Sequence, residues 1–138
     1  MRKFFHLAVS AAAALLLSAM APVAGAATIG VHLGSLHIPA KDYNNTNPGL
    51  YVRLDSGWTG GLYRNSLAKN SVYAGYTWTH GAFSVTAGGV TGYFETLQPL
   101  LVPSIALFTH RGITPRIAFI PRVEKKIGAH VLHLMVEF

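Results

Sequence analysis

The 138-residue chain contains no cysteine. That absence excludes a disulfide framework, a lipoprotein anchor and any thiolate metal site. An exported domain of this size without disulfides must draw its stability from another source, and a closed barrel inside a bilayer is one. Charge is scarce as well. Charged residues make up 12% of the chain, about half the usual share of a soluble domain. The net charge of +6 comes from eleven basic and five acidic residues. Its basic residues are scattered, so the chain carries no nucleic-acid footprint and nucleic acid is not an expected partner. Helical periodicity is also missing: no segment after residue 27 sustains it. Seven histidines are present, but neither His32 with His37 nor His130 with His133 has a recognised ligand spacing on a strand. No metal or cofactor is expected.

The first 26 residues have the layout of a secretory signal peptide. Arg2 and Lys3 form a positive start, Leu7 to Leu17 is an apolar run, and Pro22 breaks it. Ala24-Gly25-Ala26 then supplies small residues for cleavage. The run is too short for a comfortable helical span of ~20 residues. The expected organisation is therefore a signal peptide over 1–26 and one β domain over 27–138. Losing Arg2 and Lys3 lowers the net charge from +6 to +4.

The remainder reads as alternating segments separated by turn residues. Eight are expected, near 28–38, 48–56, 58–66, 70–79, 82–93, 99–109, 113–121 and 129–138. In the second, Leu50, Val52 and Leu54 oppose Tyr51, Arg53 and Asp55. In the last, Leu132, Leu134, Val136 and Phe138 oppose His133, Met135 and Glu137. The fourth and fifth alternate in the same way; the third alternates poorly and is placed by its neighbours. A soluble lipocalin-like barrel would turn its apolar face inward and carry many Lys and Glu outside. Here the polar face is Ser, Thr, Gly and Tyr with few charges, which fits a membrane barrel with apolar residues toward lipid and small polar residues in the lumen. Segment lengths near ~9–11 residues suit tilted spanning strands.

The connections add an asymmetry. Asp55-Ser56-Gly57, Thr79-His80-Gly81 and His110-Arg111-Gly112 are tight glycine-bearing turns. The connections 40–48, 67–69, 94–98 and 122–128 are longer or richer, and the two kinds alternate along the chain as in outer-membrane barrels. Trp58, Trp78, Tyr76, Phe83, Tyr93 and Phe108 fall near segment ends, where aromatic girdles form. The expected fold is an all-β, eight-stranded, antiparallel up-and-down transmembrane β-barrel. The expected location is the outer membrane of a Gram-negative cell, with a soluble periplasmic ligand-binding barrel as the alternative.

The chain ends Leu132-His133-Leu134-Met135-Val136-Glu137-Phe138. This resembles the C-terminal signature that the barrel-assembly machinery reads on bacterial outer-membrane proteins, which implies that machinery as a partner. In strand count and size the mature chain resembles the smallest such barrels: the transmembrane domain of outer-membrane protein A, the lipid A palmitoyltransferase and the lipid A deacylase. The resemblance is one of architecture. The deacylase pattern implies a His-x-Ser pair on one strand face, and no His-x-Ser occurs here; the nearest is Ser35-Leu36-His37, in reverse order. The catalytic set is not carried over.

Two groups of residues could carry function. The inward parity collects His32, Tyr51, Arg53, Asp55, Tyr63, Asn65, Tyr73, Arg116, His133 and Glu137. Of these, Arg53, Asp55, Arg116, His133 and Glu137 form a candidate lumen network, in which unpaired buried charge would be costly and opposite charges should pair. His133 and Glu137 lie ~13 Å apart along one strand, too far for direct contact. The second group is a candidate outer rim of Asn47, Tyr63, Arg64, Asn65, Ser66 and Tyr93, able to meet a head group or sugar. Lys41, Arg64, Lys69, Arg122, Lys125 and Lys126 fall on the same side, where they would face lipopolysaccharide phosphates. The expected role is a structural or lipid-binding barrel with a filled lumen and outer-membrane lipid as its partner. An enzyme acting on lipid A or phospholipid is the alternative.

Overall fold

Two-residue alternation runs along the strands and gives the wall two different surfaces. The computed structural model describes residues 27–40, 42–93, 96–120 and 129–138. It contains strands β1 (Ala27–Ile38), β2 (Thr46–Leu54), β3 (Trp58–Arg64), β4 (Asn70–His80), β5 (Phe83–Val90), β6 (Gln98–Ala106), β7 (Thr114–Ile120) and β8 (His130–Glu137). Each strand pairs antiparallel with its sequence neighbours, and β8 closes on β1. This is the eight-stranded antiparallel barrel expected from the pattern. The expected signal peptide lies outside the described residues.

The two ends of the barrel differ. Connections 55–57, 81–82 and 107–113 sit at the end that carries Ala27 and Phe138. The described parts of the β1–β2, β3–β4 and β5–β6 connections sit at the other, where β7 ends at Ile120 and β8 begins at His130. At the first end His110 and Ile113 exchange backbone hydrogen bonds of 3.0 Å across Arg111 (φ 52°) and Gly112 (φ 77°). Two successive left-handed residues make the tight turn whose twist matches a hairpin, and glycine adopts that conformation without steric cost. Phe138 is held at this end by its backbone N–H, which donates to Ile29 at 2.8 Å.

The outward face is apolar. Ile29, Leu36, Leu50, Leu101, Ile105, Phe119, Leu132 and Leu134 all expose large side chains on it. Trp58, Trp78, Phe83 and Phe108 expose theirs near the end that holds the termini. Tyr76 packs edge-on against Trp58 and Trp78, with centroids 5.4 and 4.9 Å away. These five aromatic residues cluster at that end. Tyr93 does not join them: its hydroxyl meets that of Tyr63, an inward residue, at 2.6 Å.

The inward face is filled. Tyr51, Tyr73, Val90, Ala118 and Met135 form the apolar part, with Leu100 and Val102 packed against it. Gly30 explains how a ring as large as Tyr51 fits. The two residues are paired across β1 and β2, and a Cβ on Gly30 would lie 2.1 Å from the ring. The missing side chain lets the tyrosine lie across β1 toward β8.

β1 contains a break in alternation. Its pairing with both β2 and β8 shifts between His32 and Gly34. Against β8 this is a β-bulge, with an extra residue on β1 that moves the residues beyond it to the opposite face; against β2 the longer step is on β2. Before it His32 is buried and Leu33 is exposed; after it Leu36 and Ile38 are exposed while His37 is buried and Ser35 half-buried. Simple parity from His32 puts Ser35 and His37 outside. The bulge puts them in the lumen.

Candidate functional site

The lumen is layered along its axis. Nearest the termini, Thr59, Thr77 and Thr86 form a ladder of hydroxyl hydrogen bonds of 2.8 Å. Glu137, the last residue of β8, is the centre of a charged layer. Its Oε1 and Oε2 accept from Arg53 at 2.7 and 3.1 Å. Oε1 also accepts from Arg116 Nε at 3.1 Å and from the Tyr51 hydroxyl at 2.7 Å. Arg116 uses Nη1 to donate to Ser84 and Ser104 at 3.1 and 3.0 Å. One carboxylate therefore sits between two guanidinium groups, and that of Arg116 has further polar support from the two serines. Asp55 was expected in this network and is absent from it. β2 ends at Leu54, and Asp55 sits exposed in the turn that follows.

Above the charges lies an aromatic layer. His32 packs against Tyr51, Tyr63, Tyr73 and His133 with centroid distances from 5.0 to 5.7 Å. Its Nε2 meets the Tyr73 hydroxyl at 2.9 Å, and its Nδ1 meets His133 Nε2 at 2.8 Å. His133, expected in the charged network, belongs instead to this layer and to the one above it. It stands four residues from Glu137 on a strand, and the intervening space holds other rings.

The third layer is at the end with longer connections. His133 Nδ1 meets Ser35 Oγ at 3.0 Å. Ser35 and His133 are direct cross-strand partners in the β1–β8 register. Ser35 Oγ also donates to Asn47 Oδ1. Asn47 is fixed in turn, because its Nδ2 donates to the carbonyls of Asn44 and Arg64 at 3.3 and 2.9 Å. His37 stands two residues from Ser35 on the same face. Its Nδ1 meets Asn45 Oδ1 at 2.6 Å and its ring stacks on Tyr43 at 4.5 Å. The remaining His37 nitrogen, Nε2, is buried and has no hydrogen-bond partner among the described residues.

The proton bookkeeping of this chain has two solutions. With the Ser35 proton on the Asn47 side, His133 Nδ1–H donates to Ser35, His32 Nδ1–H donates to His133, and Tyr73 O–H donates to His32. With that proton directed at His133, the bonds from Ser35 through His133 and His32 to Tyr73 all reverse, and the Ser35–Asn47 hydrogen bond is given up. Neither arrangement needs a charged group. In the second, Ser35 has a base in contact with its hydroxyl.

The structure places the expected rim residues in different local settings. Asn65 is fully buried. Its Oδ1 accepts from the backbone N–H groups of Leu67 and Lys69 at 2.9 and 3.0 Å, and its Nδ2 donates to Ser71 Oγ and the Gly92 carbonyl at 2.9 and 2.8 Å. It is a turn clip. Asn44 likewise ties the β1–β2 connection to the β3–β4 one through the Asn65 carbonyl, and Asn47 ties the start of β2 to the end of β3 at the Arg64 carbonyl. Tyr63 and Tyr93 face inward and bond to each other, and burial holds the Tyr93 phenol above its ordinary pKa. Arg64 ends β3 exposed, away from Tyr63. Ser66 lines a shallow open pocket with Asp42, Tyr43, Asn44, Leu67 and Ala68. Of the expected basic residues, Lys41, Arg122, Lys125 and Lys126 lie outside the described residues, and Lys69 is exposed.

Ser35, His37 and Asn45 were not singled out by alternation. One signal for them is in the sequence. The apolar residues of β1 fall on odd numbers at Ile29, Val31 and Leu33, then on even numbers at Leu36 and Ile38, with Gly34 between them. An isolated glycine inside a strand marks a bulge. No family model matches this chain, and neither a curated protein nor a solved structure matches it.

Proposed function

We propose that the chain is an outer-membrane β-barrel with a side-chain-filled lumen, exported by its first 26 residues and structural or lipopolysaccharide-binding in role. One observation carries the reading: large apolar side chains cover the outward face while charges and histidines fill the inside. Leu36, Leu50 and Leu101 are more than half exposed at 55%, 55% and 63%. Arg116 and Glu137 are 5% exposed. In water such a surface would be an apolar patch far larger than monomers tolerate. In a bilayer it is the face that matches its solvent.

Other features fit the same reading. Connections are tighter at the end that holds the termini, as expected of a periplasmic end. The exposed aromatic residues at that end suit an interfacial belt. Arg64 and Lys69, exposed at the opposite end, would meet anionic lipopolysaccharide phosphates. A lipocalin-like soluble barrel needs the reverse polarity, with its apolar face inside. Separation of envelope fractions tests the proposal: the protein is expected with the outer membrane, and recovery in soluble periplasm would overturn it.

A further inference from the structure

We propose that Ser35 is a nucleophile and His133 its general base, forming a site at the long-connection end of the barrel that cleaves carboxylic esters of acyl lipids. Three observations converge. The β-bulge in β1 turns Ser35 and His37 into the lumen, against the parity of the rest of the strand. Bulges commonly re-aim side chains next to active sites. Ser35 Oγ lies 3.0 Å from His133 Nδ1, and the far nitrogen of that ring is oriented by His32, itself held by Tyr73. This is the order nucleophile, base and orienting group. Beside it, His37 keeps a buried nitrogen that no described residue satisfies. Its Nδ1 is committed to Asn45, so Nε2 is an acceptor whose partner no described residue supplies. A leaving alcohol or an incoming water would satisfy it.

The reaction balances with water as the only co-reactant. Ser35 Oγ attacks the acyl carbon while its proton passes to His133 Nδ1. The ester C–O bond breaks, and the leaving alcohol takes that proton. Water then attacks the acyl-Ser35 ester, again through His133, and releases the carboxylic acid and the free hydroxyl. His32 and Tyr73 touch no reacting atom and act as positioning residues. The acyl-lipid part of the assignment rests on the membrane reading. Ser35 lies three residues before the end of β1, ~10 Å down a strand. That is the depth at which ester linkages sit between hydrocarbon and head groups.

The test uses the full chain folded in detergent, with folding checked by heat-modifiable migration. A fluorophosphonate probe should label Ser35, as read by mass spectrometry of the modified peptide. Hydrolysis of p-nitrophenyl palmitate should fall by about a hundredfold or more in Ser35→Ala and in His133→Gln. A folded barrel that takes no label and whose ester turnover is unchanged by Ser35→Ala would overturn the assignment. Because the chain has no native cysteine, Ser35→Cys provides a single thiol. Its alkylation by iodoacetamide at pH 7 should run about tenfold faster than that of an unperturbed thiol. It should slow when His133→Gln is added. A rate at or below the unperturbed one counts against His133 as base. Short-chain p-nitrophenyl butyrate separates the two readings. Its cleavage by protein recovered in a soluble fraction would keep the Ser35–His133 site and remove the membrane lipid.

Discussion

Adjacent residues on β8 face opposite solvents, and that makes them a sharp probe of the barrel's polarity. Leu134 points outward and is 40% exposed, whereas Met135 points inward and is 8% exposed. In the proposed outer-membrane setting, Leu134→Arg places a charge against lipid near mid-strand and should cost about 2–4 kcal/mol. Met135→Arg meets crowding and existing cations in the lumen instead. Denaturant titrations of both variants refolded into lipid vesicles should therefore show different lipid-thickness dependence. Identical behaviour would contradict the assigned faces. Glu137 gives a second test. It is the only carboxylate bonded to Arg53 and Arg116 among the described residues. Glu137→Ala leaves two guanidinium groups inside the wall and should destabilise by about 3–5 kcal/mol in the same titration. Arg53→Ala should cost less, because its side chain is 17% exposed and Arg116 still neutralises the carboxylate.

At the scale of the strand, the bulge between His32 and Gly34 is the feature that organises the upper lumen. Single cysteines introduced along β1 and spin-labelled should report lumen, lipid, then lumen, lipid, lumen at positions 32, 33, 35, 36 and 37. Paramagnetic oxygen and a water-soluble relaxant distinguish the two environments. An unbroken two-residue alternation across 32–37 would contradict the bulge. The same strand shows what alternation can and cannot reveal. The eight strands and their tight turns were legible because one apolar face and glycine-bearing turns are local properties of the chain, except β3, which alternates poorly and was legible only through its neighbours. Ser35 and His37 were not, since a single extra residue reverses every facing that follows. Asp55 was misplaced for a related reason: parity continues through the sequence, but β2 stops at Leu54. Asn65 and Tyr93 depend on which loops meet across the rim, a non-local matter of closure. Arg64 follows simple alternation and faces out, so its neighbours in sequence are not its neighbours in space.

For the molecule as a whole, polarity is the central claim: an apolar exterior around a charged, hydrogen-bonded interior. A closed barrel satisfies its backbone without a free sheet edge, which is the condition for spanning a bilayer with strands. Layered filling of the lumen leaves the wall narrow and plugged, in keeping with eight strands. The partly exposed Ser35 near one end is compatible with this plug, because the layers of charge and aromatic rings lie on the other side of it. The measurement that tests the account most directly is envelope fractionation of cells expressing the full chain, followed by detergent extraction and electrophoresis with and without boiling. The account predicts a protein that sediments with the outer membrane, resists alkaline carbonate, dissolves in detergent and shifts its migration on heating. Recovery in the soluble periplasm without detergent would contradict it.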